Sequence, residues 1–142
     1  DQGAYFEVKR HRMMTQTPQR LTANLGYAIP SLIVEAGAED AYKAAMDSAA
    51  EAYHKMEAWN PDTAAYVVAN GFNRRLLFTL NLRDLYHFCE LRSAPNAHFS
   101  VRRIALRMVE LVREVHPILT EFLRLPEEAD WHLIEEENLS QT

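Results

Sequence analysis

The chain has 142 residues and a formal net charge of −5, with 48% hydrophobic and 25% charged residues. That size and mix fit one globular domain and exclude a disordered tail, a collagen-like repeat and a disulfide-stapled miniature. The positive charge is carried by 12 arginines and only the lysines 9, 43 and 55, a bias suited to gripping a specific phosphate or carboxylate rather than nucleic acid at large.

Residues 4–14 alternate. Ala4, Phe6 and Val8 share one side and Tyr5, Glu7 and Lys9 the other, which predicts a half-buried strand. Residues 15–24 are polar and interrupted by Pro18, a loop pattern, and residues 25–34 suit a short edge strand, where Pro30 is tolerated. After Gly37, residues 39–59 predict a helix with Glu39 and Asp40 in its first turn. Its stripe of Ala41, Ala45, Ala49, Ala52, Tyr53 and Met56 would let another helix come close. Asn60-Pro61-Asp62 restarts a short helix through Val68, and Asn70-Gly71 marks a turn.

Residues 72–80 alternate again and predict a second extended segment. Asn81 caps the next helix, with Asp84 in the capping-box position, and Ser93-Ala94-Pro95-Asn96 stops it after Leu91. Residues 97–115 predict the longest amphipathic helix of this half, with Val101, Ile104, Ala105, Met108, Leu111, Val112 and Val115 on one face. Arg102, Arg103, Arg107, Glu110 and Arg113 face solvent. Pro117 ends it, a helical turn follows over 118–123, and residues 126–142 form an acidic, loosely attached tail. The sum is an α+β fold, helix-rich, with a small antiparallel sheet of two or three strands: one domain over 1–125, then the tail. So few strands suggest that partner strands come from elsewhere.

The chemistry-bearing residues are few. Strand parity puts Arg10 and Arg12 on the apolar side, where two guanidiniums need anions, because an unpaired buried charge costs several kcal/mol; a strand twisting into solvent would make them ordinary surface cations. Asn81-Leu82-Arg83 opens a capped helix, whose free N–H groups favour an anion. Arg83 would then meet a phosphate, or else reach Asp84 or Glu90. His87 follows one turn later on the same face, and Arg92 sits at the helix end, where a cation is favoured anyway. Histidines 11, 54, 87, 98, 116 and 132 show no metal spacing, and the lone Cys89 forms no internal disulfide. No apolar run is long enough to span a membrane, and no secretory leader is visible, so a cytoplasmic setting is expected. The start at Asp1 without Met reads as an excerpt or a processed product.

Arg10-His11-Arg12 followed by Thr15 resembles the start of the RHRxxSxNxxSxR signature of flavin-dependent thymidylate synthases. The likeness continues through Phe72-Asn73-Arg74-Arg75-Leu76-Leu77-Phe78-Thr79-Leu80-Asn81-Leu82-Arg83, then Leu91-Arg92. It ends in Ala97-His98-Phe99-Ser100-Val101-Arg102, which is similar to the family's AQWEIR segment. The resemblance implies FAD contacted by Arg10, His11, Arg12, Asn81, Arg83 and His87. It gives Arg92 the part of binding dUMP and polarising its uracil ring. It also implies methylene-tetrahydrofolate and NADPH as co-substrates and sites shared between subunits of a homotetramer. The departures fall mainly on the dUMP half. Thr15 stands for Ser, Thr17 for Asn, Pro18 for Glu, Arg20 for the second Ser and Thr22 for the last Arg. Tyr66 stands for a nucleotide-binding Arg, Asn70 for a Pro, His87 for an Asn and His98 for a Gln. Arg20 is a candidate to replace the missing arginine from two residues away. The expected function is therefore a flavin-dependent thymidylate synthase with a degraded dUMP site. The alternative is a non-catalytic copy that assembles with an active one, as a separate chain or within one longer polypeptide.

Overall fold

The computed structural model describes residues 1–127 and 129–139. Its described residues divide into two compact units, one built from residues 1–2, 18–76 and 138–139 and the other from residues 3–17, 77–127 and 129–137. The architecture is helix-rich with one small antiparallel two-stranded sheet, the class read from the sequence.

The first unit is organised by α3 (Glu39–Trp59), preceded by the short α2 (Ser31–Glu35) and followed by α4 (Pro61–Ala64) and a single 3-10 turn over Ala65–Val67. Asn60 starts α4 as expected: its side chain accepts from the N–H groups of Asp62 and Thr63, and Pro61 occupies the first turn, where its missing N–H costs nothing. The inward stripe of α3 differs from the alanine stripe. Met46 and Tyr53 are buried, with Tyr42, Ala49, Ala50 and Met56 packed beside them, whereas Ala41, Ala45 and Ala52 face out. Alanines fit either side of a helix, so the larger apolar residues set its rotation. They pack with Ala23, Ala64 and Phe72, and the Tyr27 ring meets Tyr42 and Phe72 edge-on at 5.8 Å each. A Cβ at Gly71 would lie 2.6 Å from the Tyr42 hydroxyl, so any other residue there makes the Tyr42 side chain shift. The edge strand expected over 25–34 reduces to isolated bridges at Tyr27 and Pro30, and α2 begins directly after that proline.

The second unit opens with α1 (Gln2–Val8, its first residue assigned to the other unit), where a strand was expected. Ala4 and Val8 are buried, and they are four apart, a spacing that satisfies the strand period and the helix period alike. Phe6 separates the two readings: a strand would bury it with them, yet it is 45% exposed, with the Lys9 ammonium 4.2 Å over its ring. The expected loop instead contains β1 (Thr15–Pro18), paired with β2 (Leu76–Thr79) inside the extended segment read from 72–80. Pro18 sits at the end of β1, a position that an edge strand accepts.

Helices α5 (Leu82–Arg92) and α6 (Phe99–Val115) pack together. They bury Leu85, Phe88 and Cys89 from one and Val101, Ala105, Leu106 and Val109 from the other. Of the face expected on α6, Ile104, Leu111 and Val115 turn outward. A helical turn over Pro117–Thr120 follows. The acidic stretch contains α7 (Trp131–Asn138), whose Ile134 is buried. Trp131 donates its indole N–H to Glu110 at 2.7 Å and Arg103 pairs with Glu135 at 2.8 Å, tying α7 to α6. Glu128 and residues 140–142 of the expected tail lie outside the described residues.

Candidate functional site

Within the second unit a cavity of about 220 Å³ is walled by Arg10, His11, Arg12, Met13, Met14, Asp84, His87, Leu91 and Arg92. One wall is the turn that follows α1. The Arg10 Nε donates to the Phe6 carbonyl at 3.2 Å, satisfying one of the carbonyls left open at a helix end. Gln16 then ties the turn down, donating to the carbonyls of Val8 at 3.1 Å and His11 at 3.0 Å. In this turn His11 swings inward and is 8% exposed, while Arg10 and Arg12 stay at the surface. That reverses the strand-parity expectation, which placed both arginines inward and the histidine out.

The opposite wall is α5. Asn81 caps it, accepting from the Asp84 N–H at 3.0 Å. Replacing Asn81 with Ala should lower stability by about 0.5–2 kcal/mol through this cap alone; an unchanged urea midpoint would show that the cap contributes nothing. Along the helix, Phe88 is fully buried and the His11 ring meets it edge-on at 4.9 Å, with His87 at 5.6 Å from His11.

Arg92, at the end of α5, is the most engaged of these groups. Its Nη1 donates to Glu7 Oε2 at 2.7 Å and its Nε to His11 Nε2 at 2.7 Å. The second oxygen of Glu7 accepts from the backbone N–H of His98, just before α6, at 2.8 Å. The pair is well shielded, with Arg92 13% and Glu7 20% exposed at the side chain. Burial pushes the His11 pKa down to about 4, the Arg92 and His87 charges push the same way, and Glu7 opposes them. His11 is therefore neutral at pH 7, and because Nε2 accepts from Arg92, the ring proton sits on Nδ1.

The structure brings Arg10, His11, Arg12, His87 and Arg92 together around this cavity. It does not bring the other sequence candidates there. Asn81 spends its side-chain oxygen on the helix cap, Arg83 is exposed and walls no part of the cavity, and Arg20 belongs to the first unit, paired with Asp62 at 2.7 Å. Sequence reasoning missed Glu7. A helical reading of 2–8 would have placed it one turn before His11, whereas the strand reading put it on the tyrosine side. Met13, 84% exposed at the rim, was also missed. Among the described residues no group of three His, Cys, Asp or Glu could hold a metal ion. Cys89 is buried with its thiol pushed up to about 12, and is unreactive. None of the described helices is long and apolar enough to cross a membrane.

Comparison with known proteins locates these features in a family. The chain is 43% identical over 124 residues to a UPF0159 protein of Chlamydia muridarum, covering 87% of this chain and 23% of that protein. It is 40% identical over 85 residues to a flavin-dependent thymidylate synthase of Saccharolobus solfataricus, covering 59% of this chain and 32% of that protein. The chain thus spans about a quarter of the length of the curated relatives matched over most of it. Among solved structures, the flavin-dependent thymidylate synthase ThyX of Helicobacter pylori, complexed with FAD and dUMP, shares the fold at a TM-score of 0.63 and 22% identity. That likeness covers 88% of this chain and 69% of that one. Residues 2–118 match the family described as thymidylate synthase complementing protein. The match runs from α1 past the end of α6 and takes in every wall of the cavity, so the chain belongs to that family.

Proposed function

We propose that the chain is a flavin-nucleotide-binding domain of a flavin-dependent thymidylate synthase whose dUMP half has degenerated. The observation that carries this reading is the pair Arg10 and Arg12. Both are exposed at the cavity, and among the described residues neither has a carboxylate partner. Two guanidiniums on one turn without a carboxylate suit a diphosphate, which each can grip through two parallel N–H donors, Arg10 with its two Nη groups since its Nε is bonded to Phe6. His87 adds a neutral or cationic donor beside them, and the exposed Met13 with Leu91 offers an apolar flank for a planar ring. The residues present fit part of FAD. At about 220 Å³ the cavity is smaller than the usual range for a whole ligand, so a second copy of the chain, or a second domain of the same family, supplies the rest of the walls.

In such a site a bound flavin supplies reducing equivalents, NADPH restores them and methylene-tetrahydrofolate gives the one-carbon unit. The chain's own part is to grip phosphate through Arg10 and Arg12 and to hold the uracil carbonyls through Arg92. The nucleotide-positioning part is weak: Arg20 is already paired with Asp62, and Tyr66, 90% exposed, carries no charge where the family has an arginine. A non-catalytic, assembling role is the second reading, favoured by curated relatives about four times the length of this chain. A reaction drawing on NADPH and folate would place the catalytic form in the cytoplasm.

Titration with FAD, followed by flavin fluorescence and by absorbance near 450 nm, tests the reading. The unmutated chain binds, and the Arg10→Ala, Arg12→Ala double variant loses at least two decades of affinity, from two charge-assisted contacts of about 1.5–3 kcal/mol each. Its helical circular-dichroism signal stays intact, since both side chains are exposed. Equal titration by both proteins, or none by either, overturns the assignment.

A further inference from the structure

The Arg92 guanidinium has two of its three nitrogens engaged by protein. Nη1 is taken by Glu7 and Nε by His11, both at 2.7 Å, while among the described residues its other N–H donors have no partner. Since Arg92 also walls the cavity, these are the donors left for a ligand. Neither of these partners is loose. Glu7 is held by its second oxygen on the His98 N–H, at 2.8 Å. His11 is held by its edge contact with Phe88 and by the bond from Gln16 to its carbonyl. The carboxylate cancels the charge of Arg92 before any ligand arrives, whereas Arg10 and Arg12 remain uncancelled. An anionic group entering this cavity is therefore drawn to Arg10 and Arg12, and Arg92 is left to a neutral acceptor.

We propose that Glu7 and His11 are positioning residues that fix the Arg92 guanidinium, so that its open N–H donors meet an uncharged carbonyl of the ligand, as in a pyrimidine ring, and not its phosphate. The identity of that ligand rests on the function proposed above; the positioning itself does not. The arrangement dictates one tautomer. Arg92 can donate to Nε2 only while His11 carries its proton on Nδ1 and is uncharged. The groups facing His11 are Glu7 from α1, Arg92 and His87 from α5, and the Phe88 ring between them.

Long-range proton–nitrogen spectra of the histidine rings read this directly. In the unmutated chain His11 shows the Nδ1–H tautomer alone and does not titrate above pH 5, in keeping with a value of about 4. In Glu7→Ala the guanidinium loses its anchor and leaves His11. The ring then exchanges between tautomers, while burial still holds its pKa below the ordinary 6.5 and the lost carboxylate no longer raises it. Arg92→Ala frees the tautomer in the same way and removes one of the charges that push the pKa down. Should Glu7→Ala fail to fold, Glu7→Asp, one methylene shorter, draws Arg92 off His11 in the same direction. An absence of flavin binding by the unmutated chain sinks the flavin reading and leaves the tautomer result standing. An Nε2–H tautomer in the unmutated chain, or a His11 signal unmoved by both Glu7 variants, overturns the positioning role.

Discussion

Replacing Phe88 with Ala should lower the stability of the chain by about 3–5 kcal/mol, the range for truncating a fully buried phenylalanine. The side chain is 0% exposed. Its ring takes the edge of His11 at 4.9 Å on one side and lies 6.2 Å from Phe78 of β2 on another. Its removal leaves α5 without the surface against which the His11 turn is packed, and the helices around it are too well connected to fill the gap. The measurement is a urea unfolding curve, with the midpoint read at an unchanged slope. A loss below about 1 kcal/mol would mean that the site collapses around the deletion, and that this packing does not hold the cavity's walls in place.

The second large effect concerns turnover. The chain alone should release tritium from labelled dUMP only at background, even with methylene-tetrahydrofolate, NADPH and added FAD. Arg92 is in place and held, but a donor to the uracil accelerates nothing unless the rest of the nucleotide is positioned against the flavin. On the proposed reading, Thr22 and Tyr66 stand where the family uses cations, which would remove charge-assisted bonds of about 1.5–3 kcal/mol each, several decades of affinity together. Arg20 could compensate only by giving up Asp62, an exposed pair whose loss costs at most about 1 kcal/mol. Turnover near 1 s⁻¹, the lower end of ordinary enzymes, would show that this exchange happens. The variant Arg20→Ala would then abolish it.

Helices bounded by chemical punctuation were legible in the sequence. Glu39 to Trp59 is bounded by Gly37 and by Asn60-Pro61, α5 by the Asn81 cap and α6 by Pro117, and each of these signals acts locally. What failed was period reading over short stretches. Ala4 and Val8 are compatible with both periods, and only the exposure of Phe6, a tertiary fact, decides between them. The strand Thr15–Pro18 has no alternation of its own, since three of its residues are exposed; pairing with β2 makes it a strand. For the candidate site, the motif pointed to a turn and a helix that do wall one cavity, yet parity aimed the Arg10-His11-Arg12 side chains the wrong way round. Glu7 and Arg92 lie 85 residues apart, and no local pattern announces a contact at that range.

That separation also sets an order of assembly. The second unit is made from residues 3–17 and 77–137, with the 59 residues of 18–76 looped out between them. Bringing such ends together costs roughly 3–4 kcal/mol of chain entropy, paid before any contact across the gap rewards it. Residues 77–137 can pack α5 on α6 early, because those contacts are near in sequence. The turn that carries Arg10, His11 and Arg12 docks only afterwards, on a helix pair that is already formed. Until that docking the cavity lacks the wall made by Arg10, His11, Arg12, Met13 and Met14. The cavity is then expected to be the last feature this chain completes as it folds, and the first to go when residues 3–17 come away.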